Sequence, residues 1–126
     1  MTRADPVESI NAVTLLTADV GAAVAFYRAM GFQVVAGGPD APFTTFGAGA
    51  GFLNLQLDPA HAPIAGIWGR VIFWVADVDE AYVRAQANGY TPSTVPADAS
   101  WGERYFHITD PDGHELSFAR PLHPAS

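Results

Sequence analysis

The stretch AVTLLTADVGAAVAFYRAMGF at residues 12–32 decides the fold, because its pattern occurs twice in the chain. The second copy, RVIFWVADVDEAYVRAQANGY, occupies residues 70–90. Each copy opens with the alternating apolar residues of a β-strand and continues with an aspartate that can cap a helix, Asp19 or Asp77. A helical pattern that ends at a glycine follows. An internal repeat of this kind predicts two similar halves, and therefore a functional site where the halves meet.

The predicted order of elements in each half is one strand, one helix and three strands. In the first half these elements are predicted at residues 10–16, 19–30, 32–36, 43–46 and 52–57. In the second half they are predicted at residues 70–75, 77–88, 91–95, 103–109 and 114–119. We interpret residues 1–126 as a single domain, with a first module at about 10–57, a proline- and alanine-rich linker at 58–67 and a second module at about 68–121.

Composition excludes several classes of function. The chain has 126 residues, of which 49% are apolar, so it can bury a core. Its net charge of −7, with only six Lys and Arg residues, speaks against a nucleic-acid partner but is compatible with a cationic ligand. The absence of cysteine excludes disulfides and thiolate ligands. The polar N-terminus and the short apolar runs predict a cytoplasmic protein without a membrane partner.

Strand alternation separates an almost uniformly apolar face, expected beneath the helices, from a mixed face. The mixed face carries Trp74 and Leu16 among polar residues, which is typical of a ligand cleft. A dimer interface, or packing of one half on the other, is the alternative interpretation. The candidate ligand-binding residues are Thr14, Asn54, Gln56, Arg70, Trp74, Trp101, Tyr105, His107, Glu115 and Ser117.

Three stretches carry a resemblance to a known family: residues 12–32, VIFWVADVDEAYVRAQANG at 71–89, and WGERYFHITDPDGHELSFARP at 101–121. Together they resemble the vicinal oxygen chelate superfamily, which includes glyoxalase I, bleomycin-resistance proteins and extradiol dioxygenases. The resemblance implies an α+β fold in which two tandem βαβββ modules form a U-shaped, partly open barrel. It also implies a homodimer.

In the metal-binding members of that superfamily, the metal ligands fall at positions occupied in this chain by Ala12, Asn54, Arg70 and Ser117. Alanine has no donor atom, arginine is cationic, and serine and asparagine are weak ligands. We therefore expect no metal cofactor. A displaced site made from His107 and Glu115 is the counter-hypothesis, although two protein ligands are fewer than the three of a catalytic zinc site.

The other histidines are expected to lie outside such a site. His61 and His123 are interpreted as exposed loop residues, and His114 as pointing away from Glu115.

Our first hypothesis is a metal-free small-molecule binding protein, similar to bleomycin-resistance proteins, that sequesters an aromatic or cationic compound. The acidic balance and the unsuited residues at the metal-ligand positions both favour it. In this hypothesis Arg70 contacts either Glu115 or a carboxylate of the ligand. One alternative is a metalloenzyme of the glyoxalase or dioxygenase type, acting as a lyase, isomerase or oxygenase. Another is a metal-free acid–base enzyme that uses the catalytic candidates His107 and Glu115.

Overall fold

The computed structural model describes residues 6–123, which form two four-stranded sheets and two helices. The elements of the first half are β1 (Ala12–Thr17), α1 (Val20–Ala29), β2 (Val34–Ala36), β3 (Phe43–Ala48) and β4 (Gly51–Leu57). Those of the second half are β5 (Arg70–Trp74), α2 (Val78–Ala87), β6 (Ala97–Asp98), β7 (Glu103–Thr109) and β8 (Glu115–Pro121).

The two sheets have the same topology, with strand orders β1-β4-β3-β2 and β5-β8-β7-β6. In each sheet the first strand pairs in parallel with the last, and the other neighbours are antiparallel. This confirms the α+β fold with two βαβββ units, arranged as an open U rather than as a closed barrel. The exact limits of the modules and of the linker stay predictions.

The predicted capping aspartates start both helices. Asp19 accepts a hydrogen bond from the backbone of Ala22 at 3.1 Å, and Asp77 accepts one from Glu80 at 3.0 Å. These bonds satisfy amide groups that the first turn of a helix leaves without a partner. Each helix has ten residues. Within residues 6–123, no helix is both long and apolar enough to cross a membrane.

The apolar side chains of both halves form one core. The rings of Phe26, Phe46 and Phe118 are fully buried in it. Phe32, which follows α1, joins the halves because its ring lies 4.9 Å from that of Phe73 in β5 and 6.4 Å from that of Phe118 in β8. The two modules are therefore held together by shared aromatic packing.

The predicted strand at residues 91–95 is wrong. The strand that pairs with β7 is Ala97–Asp98, inside the segment predicted as a loop. Residues 91–95 still lie beside β7, where Ser93 donates to the carbonyl of His107 at 2.8 Å and the hydroxyl of Thr94 accepts from its backbone N–H at 2.9 Å. Pro92 and Pro96 have no N–H group to donate, so a regular ladder cannot form here.

Candidate ligand-binding site

The mixed face of the first sheet carries a chain of polar side chains. Thr45 donates to Oδ1 of Asn54 at 2.7 Å, and Nδ2 of Asn54 donates to the hydroxyl of Thr14 at 3.2 Å. Gln56 is exposed. In the register of the sheet it lies between Leu16 on β1 and Phe43 on β3. The structure thus brings Thr14, Asn54 and Gln56 onto one face. Thr45, which completes the hydrogen-bonded chain, was missed because its partner Asn54 lies on a neighbouring strand.

The other predicted site residues lie on the mixed face of the second sheet, except Trp101, which lies in the turn before β7. Reading across β5, β8 and β7, the register forms three rows: Arg70, Glu115 and Thr109; Ile72, Ser117 and His107; Trp74, Ala119 and Tyr105. Small residues on β8 therefore lie between larger residues on both neighbouring strands. Ser117 is only 3% exposed and Ala119 is fully buried, so the flanking side chains cover them. Ser117 therefore presents little surface on this face, and its predicted contact with a ligand stays a prediction.

Aromatic rings form the most exposed part of this second face. Trp101 is 69% exposed and stacks on Tyr105, with ring centroids 5.8 Å apart. The ring of Tyr105 in turn lies 5.0 Å from that of His107. Trp74 is 68% exposed and stands across Ala119 from Tyr105. We call Trp74, Trp101 and Tyr105 the aromatic surface.

An ion pair lies at the other end of this face. Nε of Arg70 donates to Oε2 of Glu115 at 2.7 Å, and Nη2 of Arg70 donates to the same oxygen. The Arg70 side chain is 37% exposed and the Glu115 side chain 14% exposed. Of the two roles considered for Arg70, the structure shows the contact with Glu115.

His107 lies between the ion pair and the aromatic surface. Its Nδ1 atom is buried and has no hydrogen-bond partner among the described residues. Burial lowers the pKa of His107 from its ordinary value of 6.5, the cation of Arg70 lowers it further, and Glu115 partly opposes both effects. The imidazole is therefore neutral at pH 7.

The residues present do not fit the metal site of the metal-binding relatives. Ala12 offers no donor, Asn54 is hydrogen-bonded to two threonines, and Arg70 places a cation at the third position. Glu115, which would be a ligand in the hypothesis of a displaced metal site, is already paired with Arg70. Nowhere in residues 6–123 do three His, Asp or Glu side chains gather in a metal-binding arrangement.

A cavity of about 590 Å³ lies between the two halves. It is lined by the start of β1, by the hairpin between β3 and β4, and by β5 with the preceding Trp68. Arg70 and Ile72 belong both to this cavity and to the mixed face of the second sheet. Strand alternation could not predict the cavity, because it forms between edges of sheets from different halves.

A cluster of rings around His114 was also missed. Trp68 donates from Nε1 to Nδ1 of His114 at 3.0 Å, so Nε2 of His114 carries the proton that it donates to the carbonyl of Leu16 at 2.8 Å. The ring of His61 stacks on that of His114 at 5.5 Å. The interpretation of His61 as an exposed loop residue is therefore wrong, because this contact half-buries it. No local sequence pattern predicts contacts between residues that lie so far apart in the chain.

The structure thus consists of two βαβββ units whose sheets have the same topology and each carry a mixed face. The sequence model of the Glyoxalase/Bleomycin resistance protein/Dioxygenase superfamily matches residues 9–118. The chain belongs to this superfamily, as its resemblance predicted.

Solved structures show the same architecture. TioX from Micromonospora sp. ML1 is 30% identical, with a TM-score of 0.72 over 91% of this chain and 100% of that one. A bleomycin-binding protein in complex with bleomycin is 23% identical, with a TM-score of 0.70 over 90% and 98% of the two chains. Lactoylglutathione lyase from Agrobacterium tumefaciens is 23% identical, with a TM-score of 0.72 over 90% and 94%. The last two similarities show the fold alone.

The curated relatives match only a part of the chain. An uncharacterised protein of Mycobacterium bovis is 42% identical over 48 residues, which are 38% of this chain and 32% of that protein. The match thus spans about a third of the relative's length.

Proposed function

We propose that this chain binds a small aromatic compound on the mixed face of its second sheet and sequesters it without changing it chemically. The observation that carries the proposal is the exposure of the aromatic surface. Trp74 on β5 and Trp101, which stacks on Tyr105 of β7, are each more than two-thirds exposed. Grouped exposed rings of this kind mark interaction sites, whereas isolated apolar residues on a surface are ordinary.

The physical basis of binding is stacking and burial. A planar ligand placed against Trp74 or Trp101 removes apolar surface from water on both partners, and offset ring stacking adds to this gain. A cationic ring gains further from the faces of the indoles and from the net charge of −7. Sequestration requires affinity alone. The bleomycin complex of a protein with the same fold supports this type of function.

The open faces also support a homodimer. Phe43 and Phe52 on the first sheet are 45% and 42% exposed, and Ile72 on the second is 55% exposed. A second copy of the chain would cover part of this apolar area. Light scattering coupled to size-exclusion chromatography tests this, and a monomer at micromolar concentration would contradict it. A cytoplasmic location likewise stays a prediction.

Binding is tested by titrating the intrinsic tryptophan fluorescence with a panel of planar aromatic compounds, neutral and cationic. Trp74→Ala should weaken binding at least about tenfold, because a buried stacked ring contributes more than 1.4 kcal/mol. Val83→Ala is the matched control, since Val83 is 60% exposed on α2 and outside the site. Equal affinities for the wild type and Trp74→Ala would place the site elsewhere.

Acid–base catalysis is the second candidate function, and the state of His107 favours it. A neutral imidazole with an unpartnered, desolvated nitrogen can accept a proton from a bound substrate. His107→Gln separates the two functions. Loss of turnover with unchanged ligand affinity supports catalysis, whereas unchanged turnover contradicts it.

A further inference from the structure

The cavity between the halves has an unusual charge distribution for a chain this acidic. Its larger lining side chains are mostly apolar and include Val13, Phe52, Trp68 and Phe73, whereas Asn11 is polar. Arg70 is the one charged side chain that lines it among residues 6–123. Its volume of about 590 Å³ lies within the range of small-molecule pockets, which is about 300–1,000 Å³. The cavity therefore combines an apolar container with a single cation.

The guanidinium of Arg70 is only partly used within the protein. A guanidinium has two edges that can each hold a carboxylate through two parallel N–H bonds. The edge formed by Nε and Nη2 is directed at Oε2 of Glu115. Nη1 has no acceptor among the described residues, so the edge formed by Nη1 and Nη2 is available to a ligand. Glu115 meanwhile holds the guanidinium in place, which reduces the entropy that a ligand must remove.

We infer that this cavity binds a ligand with one anionic group, a carboxylate or a comparable oxyanion, held by the free edge of Arg70 while the apolar ring system of the ligand fills the cavity. The inference goes beyond the proposed function, because the cavity shares Arg70 and Ile72 with the mixed face of the second sheet but is not lined by the aromatic surface. It departs from the cationic ligand that net charge suggests. Long-range attraction by a charge of −7 draws cations to the surface, but a cation inside the cavity would meet the guanidinium at contact distance.

Three probes with the same ring system separate these ligand classes: 2-naphthoate, the neutral 2-naphthamide and the cationic 2-naphthylmethylammonium. Their affinities are measured by calorimetry at neutral pH, where the acid is ionised and the amine protonated. We expect 2-naphthoate to bind about tenfold or more tightly than the amide, the gain typical of a charge-assisted bidentate contact. Arg70→Gln should remove this preference and leave the affinity for the amide within about twofold, because it keeps the apolar lining.

Arg28→Gln is the matched control, since Arg28 is an exposed arginine on α1 outside the cavity. It should leave all three affinities unchanged. Because Arg70→Gln also removes the partner of Glu115, Glu115→Gln serves as a second variant. It frees the guanidinium of its internal counter-charge and should raise the preference for 2-naphthoate over the amide.

The outcomes distinguish this inference from the proposed function. Binding of the amide and of 2-naphthoate with equal affinity, or tighter binding of the ammonium probe, would overturn the anionic ligand while leaving an aromatic binding site in place. A preference for 2-naphthoate that persists in Arg70→Gln would overturn the role of Arg70. Failure of all three probes to bind would overturn the inference, whereas the proposed function stands or falls with the separate fluorescence titration of the wild type and Trp74→Ala.

Discussion

The hydroxyl of Tyr27 donates a buried hydrogen bond of 2.6 Å to Oδ2 of Asp110. Tyr27 lies on α1 of the first half, whereas Asp110 opens the turn between β7 and β8 of the second. Oδ1 of the same carboxylate accepts the backbone N–H groups of Asp112 and His114, each at 2.9 Å. One buried carboxylate therefore ties the helix of one half to the turn that starts β8, the central strand of the candidate site.

Removing the Tyr27 hydroxyl should destabilise the chain measurably. Tyr27→Phe keeps the ring in its aromatic packing but leaves Oδ2 of Asp110 without a donor. An unsatisfied buried acceptor costs about 1–3 kcal/mol, so the free energy of unfolding should fall by that amount. Urea denaturation measures the change.

The control for this prediction is Tyr82→Phe. The hydroxyl of Tyr82 accepts a bond of 3.3 Å from Gln86 at an exposed position on α2. Its removal should cost less than about 0.5 kcal/mol. Equal losses in the two variants would show that the Tyr27–Asp110 bond has no special role in stability.

Asp110 should also impose a pH dependence on stability. Burial raises the pKa of Asp110 above its ordinary value of 3.8, although the hydrogen bond from Tyr27 acts in the opposite direction. Between 3.8 and the raised pKa, the folded chain holds a proton that the unfolded chain has lost. Stability conferred by Asp110 is therefore lost as the pH rises through this interval. The stability of the wild type relative to Asp110→Asn should fall over the same range.

Asp79 provides a control of opposite sign. Its hydrogen bonds to Arg104 lower the pKa of Asp79 below its ordinary value of 3.8. The unfolded chain then binds the proton more readily, so stability is lost as the pH falls below 3.8. The stability of the wild type relative to Asp79→Asn should accordingly rise with pH. Slopes of the same sign for the two variants would contradict this assignment.

Gly113, in the turn between β7 and β8, should be essential for the close packing of this turn against Ile64 in the segment between the halves. Gly113 has φ +90°, and an added Cβ would lie 2.5 Å from the backbone nitrogen and 2.7 Å from the carbonyl oxygen of Ile64.

Gly89 has φ +87° with open space around it. Gly89→Ala should therefore cost about 1–2 kcal/mol from backbone strain alone. Gly113→Ala should cost at least about 1 kcal/mol more, because backbone cannot move aside as a side chain can. Thermal unfolding of the two variants measures the difference, and equal losses would show that the Ile64 segment yields.

The sequence predicted what depends on local pattern. The repeat, the capping aspartates and strand alternation gave both βαβββ units and the separation of apolar and mixed faces. The residues that pattern could not supply are those whose partners lie far along the chain. Trp68 and His114 meet over 46 positions, and the cavity beside Arg70 joins strand edges from different halves. The prediction of a strand at 91–95 was wrong because Pro92 and Pro96 have no N–H group to donate to a neighbouring strand. This outweighs the β-propensity of the residues between them.

His107 provides the sharpest test of whether the second face is shaped for function rather than stability. Its buried Nδ1 has no partner among the described residues, a state that costs stability unless a ligand offers a hydrogen bond. His107→Leu should therefore raise the free energy of unfolding by about 1 kcal/mol at pH 7 and weaken binding of the ligand. His107→Gln, which retains a polar group, should give no such gain.

The same variants should also differ in how their stability depends on pH. The pKa of His107 is lowered by its burial, so the unfolded chain takes up a proton near 6.5 while the folded chain does not. Because only the unfolded chain gains this proton, the stability of the wild type is highest above 6.5 with respect to this group and falls as the pH falls toward the lowered pKa. The advantage of His107→Leu over the wild type should thus grow below pH 6.5, as followed by urea unfolding at a series of pH values. A destabilised His107→Leu variant with unchanged ligand affinity would mean that the imidazole serves packing alone.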